Sequence, residues 1–110
     1  MTYKEFLKYL KRDQWCYHCG SDGEDLVPQH RLNRGAGGKN AKAAQPSNII
    51  VLCSFANGLA ESDAGFARIC QDRGWKLHSW QNPETTPVFD VIDDVWYALD
   101  NKFGRIVLPS

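Results

Sequence analysis

The chain has 110 residues, 43% hydrophobic and 24% charged, with 13 Lys/Arg balancing 13 Asp/Glu. That length predicts one domain with a modest core, and the ordinary composition sets aside disordered and fibrous classes. A net charge of zero argues against a wholesale basic coat for nucleic acid, but the charge is uneven. The first fifty residues carry eight Lys/Arg against five Asp/Glu, and the remaining sixty carry five against eight. The positive excess permits a local phosphate-binding face.

No apolar run approaches the roughly 18 residues of a spanning helix, and the N-terminal stretch lacks the apolar segment of a signal peptide. A cytoplasmic protein without a membrane anchor is the expectation. In a reducing compartment four cysteines point to metal ligation or to simple burial rather than to disulfides.

Phe6, Leu7 and Leu10 recur at helical spacing, which predicts a short amphipathic helix from Thr2, a plausible N-cap, to about Lys11. "CYHCGSDGEDL" follows, with the tight-turn pattern of a metal knuckle at Cys16 and Cys19. "DLVPQHRL" suits a short strand, with Pro28 favouring an edge. The segment 34–47 reads as a long irregular loop, of the kind that usually carries function. "NIIVLC" is a second strand. Helical spacing at Phe55, Leu59, Phe66, Ile69 and Cys70 follows, with a break predicted near 62–65 and a stop at Gly74. "WKLHSW", "PVFDVID", "VWYAL" and "RIVLP" read as β structure, with "DNKFG" a turn between the last two. The four tryptophans are expected to fill the core.

Strand, loop, strand and helix, with "CYHC", "QHRLNRGAGG", "NIIVLC" and "SFANGLAESD" in that order, resemble the HNH endonucleases, in particular the short cysteine-bearing proteins of bacteria and their phages. The resemblance covers residues 16–63. It implies a ββα-metal core at about 16–74, which with the N-terminal helix and a C-terminal antiparallel β-hairpin or meander within about 75–110, both read from the residue pattern, gives an α+β fold.

The resemblance places His30 as general base, a role that a neutral imidazole suits near pH 7. It places Asn48 as the residue that orients the histidine-bearing loop, and Asn57 as a ligand of a divalent ion such as Mg²⁺ or Mn²⁺. Gln29 stands where the family usually has Asp or His as a further ligand. Two neutral amides bind a hard cation weakly, so Glu61, one turn past Asn57, is a candidate for the missing carboxylate.

Relatives also hold a structural zinc with two Cys-x-x-Cys pairs. Cys16, Cys19 and Cys53 match three of those ligands and Ala56 replaces the fourth, so Cys70, His18 or His78 would have to complete the site, or the zinc is lost. The "RG-x-GG" loop implies that Arg31, Arg34, Lys39 and Lys42 contact DNA phosphates, with Gly35, Gly37 and Gly38 admitting close backbone approach. Backbone contacts of that kind predict little sequence specificity and strong salt dependence.

The function implied is metal-dependent hydrolysis of DNA, alone or within a larger protein machine docked on the acidic C-terminal half. Gln29, Ala56 and the zero net charge favour an alternative, a catalytically degenerate HNH fold acting as a DNA- or protein-binding module.

Overall fold

Helix α1 (Tyr3–Asp13) begins with a capping box: Glu5 N–H donates to Thr2 Oγ1 at 3.1 Å and Thr2 N–H to the Glu5 carboxylate at 3.3 Å. These bonds satisfy amides that a helix start leaves open. The structure, a computed structural model, describes residues 1–33 and 41–109. Arg34, Lys39 and the loop glycines fall outside the described residues. The buried stripe of α1 is Phe6 and Tyr9, packed on Ile49 and Val51. At its end the buried Asp13 carboxylate accepts from Arg12 Nε (2.6 Å), Tyr17 Oη (2.8 Å) and the Val51 amide (3.1 Å), which fixes the helix to the sheet.

Strands β1 (Leu26–His30) and β2 (Ile49–Cys53) pair antiparallel, with Pro28 opposite Val51 and His30 opposite Ile49. Among the described residues the sheet has these two strands, so Pro28 sits at an edge where its missing N–H costs no ladder bond. Every residue of β2 is buried. Ile49 and Val51 face α1, while Ile50 and Leu52 join the larger core of Tyr17, Trp75, Val88 and Leu99. Helix α2 (Ser54–Ser62) follows β2 directly, and Asp63 ends it and caps α3 (Ala64–Asp72) by accepting from the Phe66 amide at 2.8 Å. That is the break expected near 62–65. Gly74, the expected stop, has φ +76°, and a Cβ there would collide with the Pro87 carbonyl.

The C-terminal part is the small antiparallel unit expected there, in the form of a meander and not a two-stranded hairpin. Strands β3 (Val88–Asp90), β4 (Val95–Leu99) and β5 (Arg105–Val107) form a three-stranded antiparallel meander. "WKLHSW" forms no strand, because the Trp75 and Lys76 amides both turn back to the Cys70 carbonyl and bend the chain. Of the four tryptophans only Trp75 is fully buried; Trp80 is 78% exposed and stacks on His78. Phe55 and Ile69, expected on the inner helix face, are exposed, and the small residues Ala56 and Ala60 take the contact with the sheet. Among the described residues no helix is long and apolar enough to cross a membrane.

Arg31 supplies the main correction to the basic loop. Expected on the phosphate-binding face, it is fully buried just past β1. Nε donates to Gly74 O (2.7 Å), Nη1 to Ser47 O (2.9 Å) and Pro83 O (3.0 Å), and Nη2 to Thr86 O and Pro87 O. Burial pulls its pKa down to about 10, leaving it charged at neutral pH. A buried cation without a carboxylate partner is tolerable here because five carbonyl dipoles solvate it. Lysine has three rotatable donors and cannot reproduce that fork. We expect Arg31→Lys to cost about 2 kcal/mol or more, and Arg31→Met at least as much, read from urea unfolding midpoints.

Candidate metal centre and strand-end residues

The turn after α1 brings Cys16, His18 and Cys19 against Cys53, the last residue of β2 and the N-cap of α2. One ligand atom from each of the four lies within 4.8 Å of the others. Cys19 Sγ and Cys53 Sγ are 3.8 Å apart. Ligands at the usual Zn–S distance of about 2.3 Å from a tetrahedral ion are separated by about 3.8 Å, so the sulfur spacing fits.

The surroundings also suit thiolates. Cys16 Sγ accepts from the amides of His18 (3.3 Å) and Cys53 (3.1 Å), and Cys53 Sγ from that of Ala56 (3.4 Å). Without a cation, burial pushes the Cys16 thiol up to about 12. A bound cation would reverse that preference and hold the thiolate.

His18 is the ligand that reading the cysteines alone leaves undecided. Its Nδ1 is buried and has no hydrogen-bond partner among the described residues, and its ring is held edge-on by Phe66 (5.3 Å) and Trp75 (5.8 Å). Burial, and then the charge of Arg73, holds its pKa below the ordinary value, so the neutral, ligating form is favoured. The sequence signal was present in Cys16-x-His18-Cys19, an imidazole inside the knuckle. Of the other two candidates, Cys70 is a buried residue of α3 and His78 stacks on the exposed Trp80, and neither belongs to the cluster. Ala56 contributes only its amide, which donates to Cys53 Sγ. The four side chains are thus close enough to hold a metal ion, and their chemistry fits zinc.

The strand-end residues divide between the two faces of the hairpin. Gln29 is buried, with Nε2 donating to Trp75 O (3.3 Å) and Oε1 accepting from Asn57 Nδ2 at 2.6 Å. The two amides assigned to one divalent ion are therefore in contact. Because an amide's oxygen and nitrogen are exchanged by rotating the group, turning Asn57 would set two oxygens side by side. Glu61 lies one turn on, exposed, with its carboxylate 3.8 Å from Lys76 Nζ. His30 precedes Arg31 and follows Gln29, and strand alternation turns it the other way. It lines a pocket of about 520 Å³ beside Ile49 and α1.

Asn48 is fully buried at the entry to β2. Its Oδ1 accepts from the Leu32 amide (2.7 Å), and its Nδ2 donates to Leu32 O (3.2 Å) and Ala43 O (3.0 Å). All of its side-chain polar atoms are used to clamp the chain two residues past His30. Lys42 is exposed on the short turn Ala41–Ala44. Comparison with protein-family models, with curated proteins and with solved structures finds no match to this chain.

The purified protein should carry one zinc per chain by elemental analysis. Replacing zinc with Co²⁺ should give the absorption of a tetrahedral thiolate site, and His18→Ala should weaken it. Zinc at about 1,000 times its dissociation constant adds about 4 kcal/mol. Chelation should therefore lower Tm by more than about 10 °C, with zinc affinity falling as pH falls because the ligands bind only when deprotonated.

Proposed function

We propose that this chain is an HNH-type, metal-dependent endonuclease acting on DNA, built on the β1–β2–α2 unit and stapled by zinc at Cys16, His18, Cys19 and Cys53. The observation that carries the reading is the 2.6 Å contact between the Gln29 and Asn57 amides, since the family places one divalent ion at those two positions. Asn48 adds support, with side-chain bonds that hold the segment leaving the His30 strand. In this mechanism His30 removes a proton from the attacking water. Asn48 keeps the strand end in position, and Gln29 and Asn57, once the Asn57 amide is turned, would hold the divalent ion through their oxygens. When bound, that ion supplies charge stabilisation to the phosphate and the leaving 3′ oxygen. Lys42, with Arg34 and Lys39, would meet neighbouring phosphates; Arg31 is committed to the fold and is excluded from that set.

A second reading, a catalytically degenerate module that binds DNA or a protein, is favoured by one specific feature. His30 and the amide pair lie on opposite faces of β1, so a phosphate would have to pass over the strand end to reach both. A larger protein partner docked on the acidic C-terminal half is compatible with either reading.

Plasmid nicking at low salt with Mg²⁺ or Mn²⁺ separates the two. The nuclease reading expects metal-dependent nicking that falls by at least about 100-fold in His30→Ala, the range of a lost general base, and that is also lost in Asn57→Ala. A wild-type protein that shifts DNA in gels but cuts none, with His30→Ala behaving identically, would establish the binding module instead.

A further inference from the structure

The pocket beside His30 is walled on its far side by α1 and by the turn between β4 and β5. Its volume of about 520 Å³ is within the roughly 300–1,000 Å³ of small-molecule sites. Tyr9 and Ile49 form its apolar floor, Phe103 projects into it from the turn, and Lys8 and Glu5 stand at its rim. Glu5 is tied to the Thr2 amide in the capping box. A second, adjoining hollow is lined by Lys8, Lys11, Arg12 and Phe103. Lys8 and Phe103 are common to both, so the two hollows form one groove across α1, aromatic at the His30 end and cationic at the other.

Two features of that groove are not accounted for by packing alone. Lys4, Lys8 and Lys11 are all exposed and fall at spacings of four and three, which aligns them on one helix face in spite of their mutual repulsion. Phe103 is held at φ +61°, a left-handed conformation that a bulky side chain adopts at a cost. The turn enforces it: the Asp100 carboxylate accepts from the amides of Lys102 (2.8 Å) and Gly104 (2.7 Å), and a Cβ on Gly104 would collide with that carboxylate. The result is a half-buried ring 5.1 Å from Tyr9, with Lys8 Nζ 5.5 Å from its centroid.

We infer that this groove binds an unpaired nucleotide of a DNA strand, with its base against Phe103 in the His30 pocket and the adjoining phosphates on Lys8 and Lys11. The inference rests on the nucleic-acid reading above and names its substrate class as single-stranded or locally unpaired DNA. A base has a π face to offer only when it is out of the duplex stack, and an aromatic wall beside a cationic track is the arrangement that captures it. Lys8, held over the ring by cation–π attraction in the free protein, can yield the ring face to the base and move its ammonium to the phosphate.

The test is fluorescence anisotropy with a labelled single-stranded oligonucleotide and with its duplex, at low salt and without added divalent ions, so that binding is read apart from cleavage. Phe103→Asn removes the ring with a residue that tolerates positive φ, and Lys8→Ala changes an exposed side chain that the fold does not need. The inference expects single-strand binding to weaken at least about fivefold in Phe103→Asn and to show a shallower salt dependence in Lys8→Ala, with duplex binding little changed by Phe103→Asn. Single-strand affinity unchanged in both variants, or a preference for duplex that Phe103→Asn leaves intact, would overturn the groove assignment while leaving the nuclease reading standing. A wild-type protein that binds neither strand form would overturn the groove assignment, and the nuclease reading would fall with it only if plasmid nicking with Mg²⁺ or Mn²⁺ is also absent.

Discussion

The guanidinium of Arg31 is the interaction on which the rest of the arrangement depends. Five carbonyls, from Ser47 ahead of β2, Gly74 after α3, and Pro83, Thr86 and Pro87 ahead of β3, converge on one side chain at the end of β1. These segments have few regular hydrogen bonds of their own, and their carbonyls would be costly to bury without a donor. The Leu77 amide adds a bond to the Arg31 carbonyl at 2.7 Å. The irregular 74–87 stretch is thereby bound to β1, and the three-stranded sheet is brought to the hairpin. The neighbours of Arg31 on β1, Gln29 and His30, inherit their positions from this anchor.

A second constraint acts at the other end of the hairpin. A chain of this size buries a limited core, and its larger cluster includes Cys16, Cys53 and Trp75. Joining the turn after α1 to the start of α2 through a metal would close the core where hydrophobic area is least able to do so. His18 serves both purposes, because the ring that offers a nitrogen to the cluster also packs its edge on Phe66 and Trp75. A metal held by His18 would therefore be tied directly to the packing of the core.

What could be read from the sequence was local. The capping box of Thr2, the break at Asp63, the stop at Gly74 and the turn at Asp100–Gly104 each depend on residues within a few positions of one another, and the hairpin-then-helix order follows from two short apolar runs. Arg31 was misplaced because its role depends on carbonyls 16 to 56 residues away, and a basic residue next to a glycine-rich loop reads as surface. The tryptophans were overcounted as core for a similar reason, since composition says how much aromatic area exists and not which strand face turns inward. In the site, the Cys16 and Cys19 pair was legible from spacing, while Cys53 and the shared role of positions 29 and 57 were implied only by the family resemblance. The choice of His18 over two other candidates needed the buried, unpartnered nitrogen, and the separation of His30 from Gln29 needed the pairing register.

That register carries a consequence of its own. Gln29 opposes Ile50 and faces Trp75 and Asn57, while His30 opposes Ile49 and faces α1. A slip of β1 by one residue against β2 would exchange the two, because adjacent strand residues take opposite faces. The imidazole's location is therefore a property of a hydrogen-bond ladder as much as of position 30. A change of length in the connection between β1 and β2 that re-registered the hairpin would carry the imidazole from one side of the protein to the other without replacing a single residue of either strand.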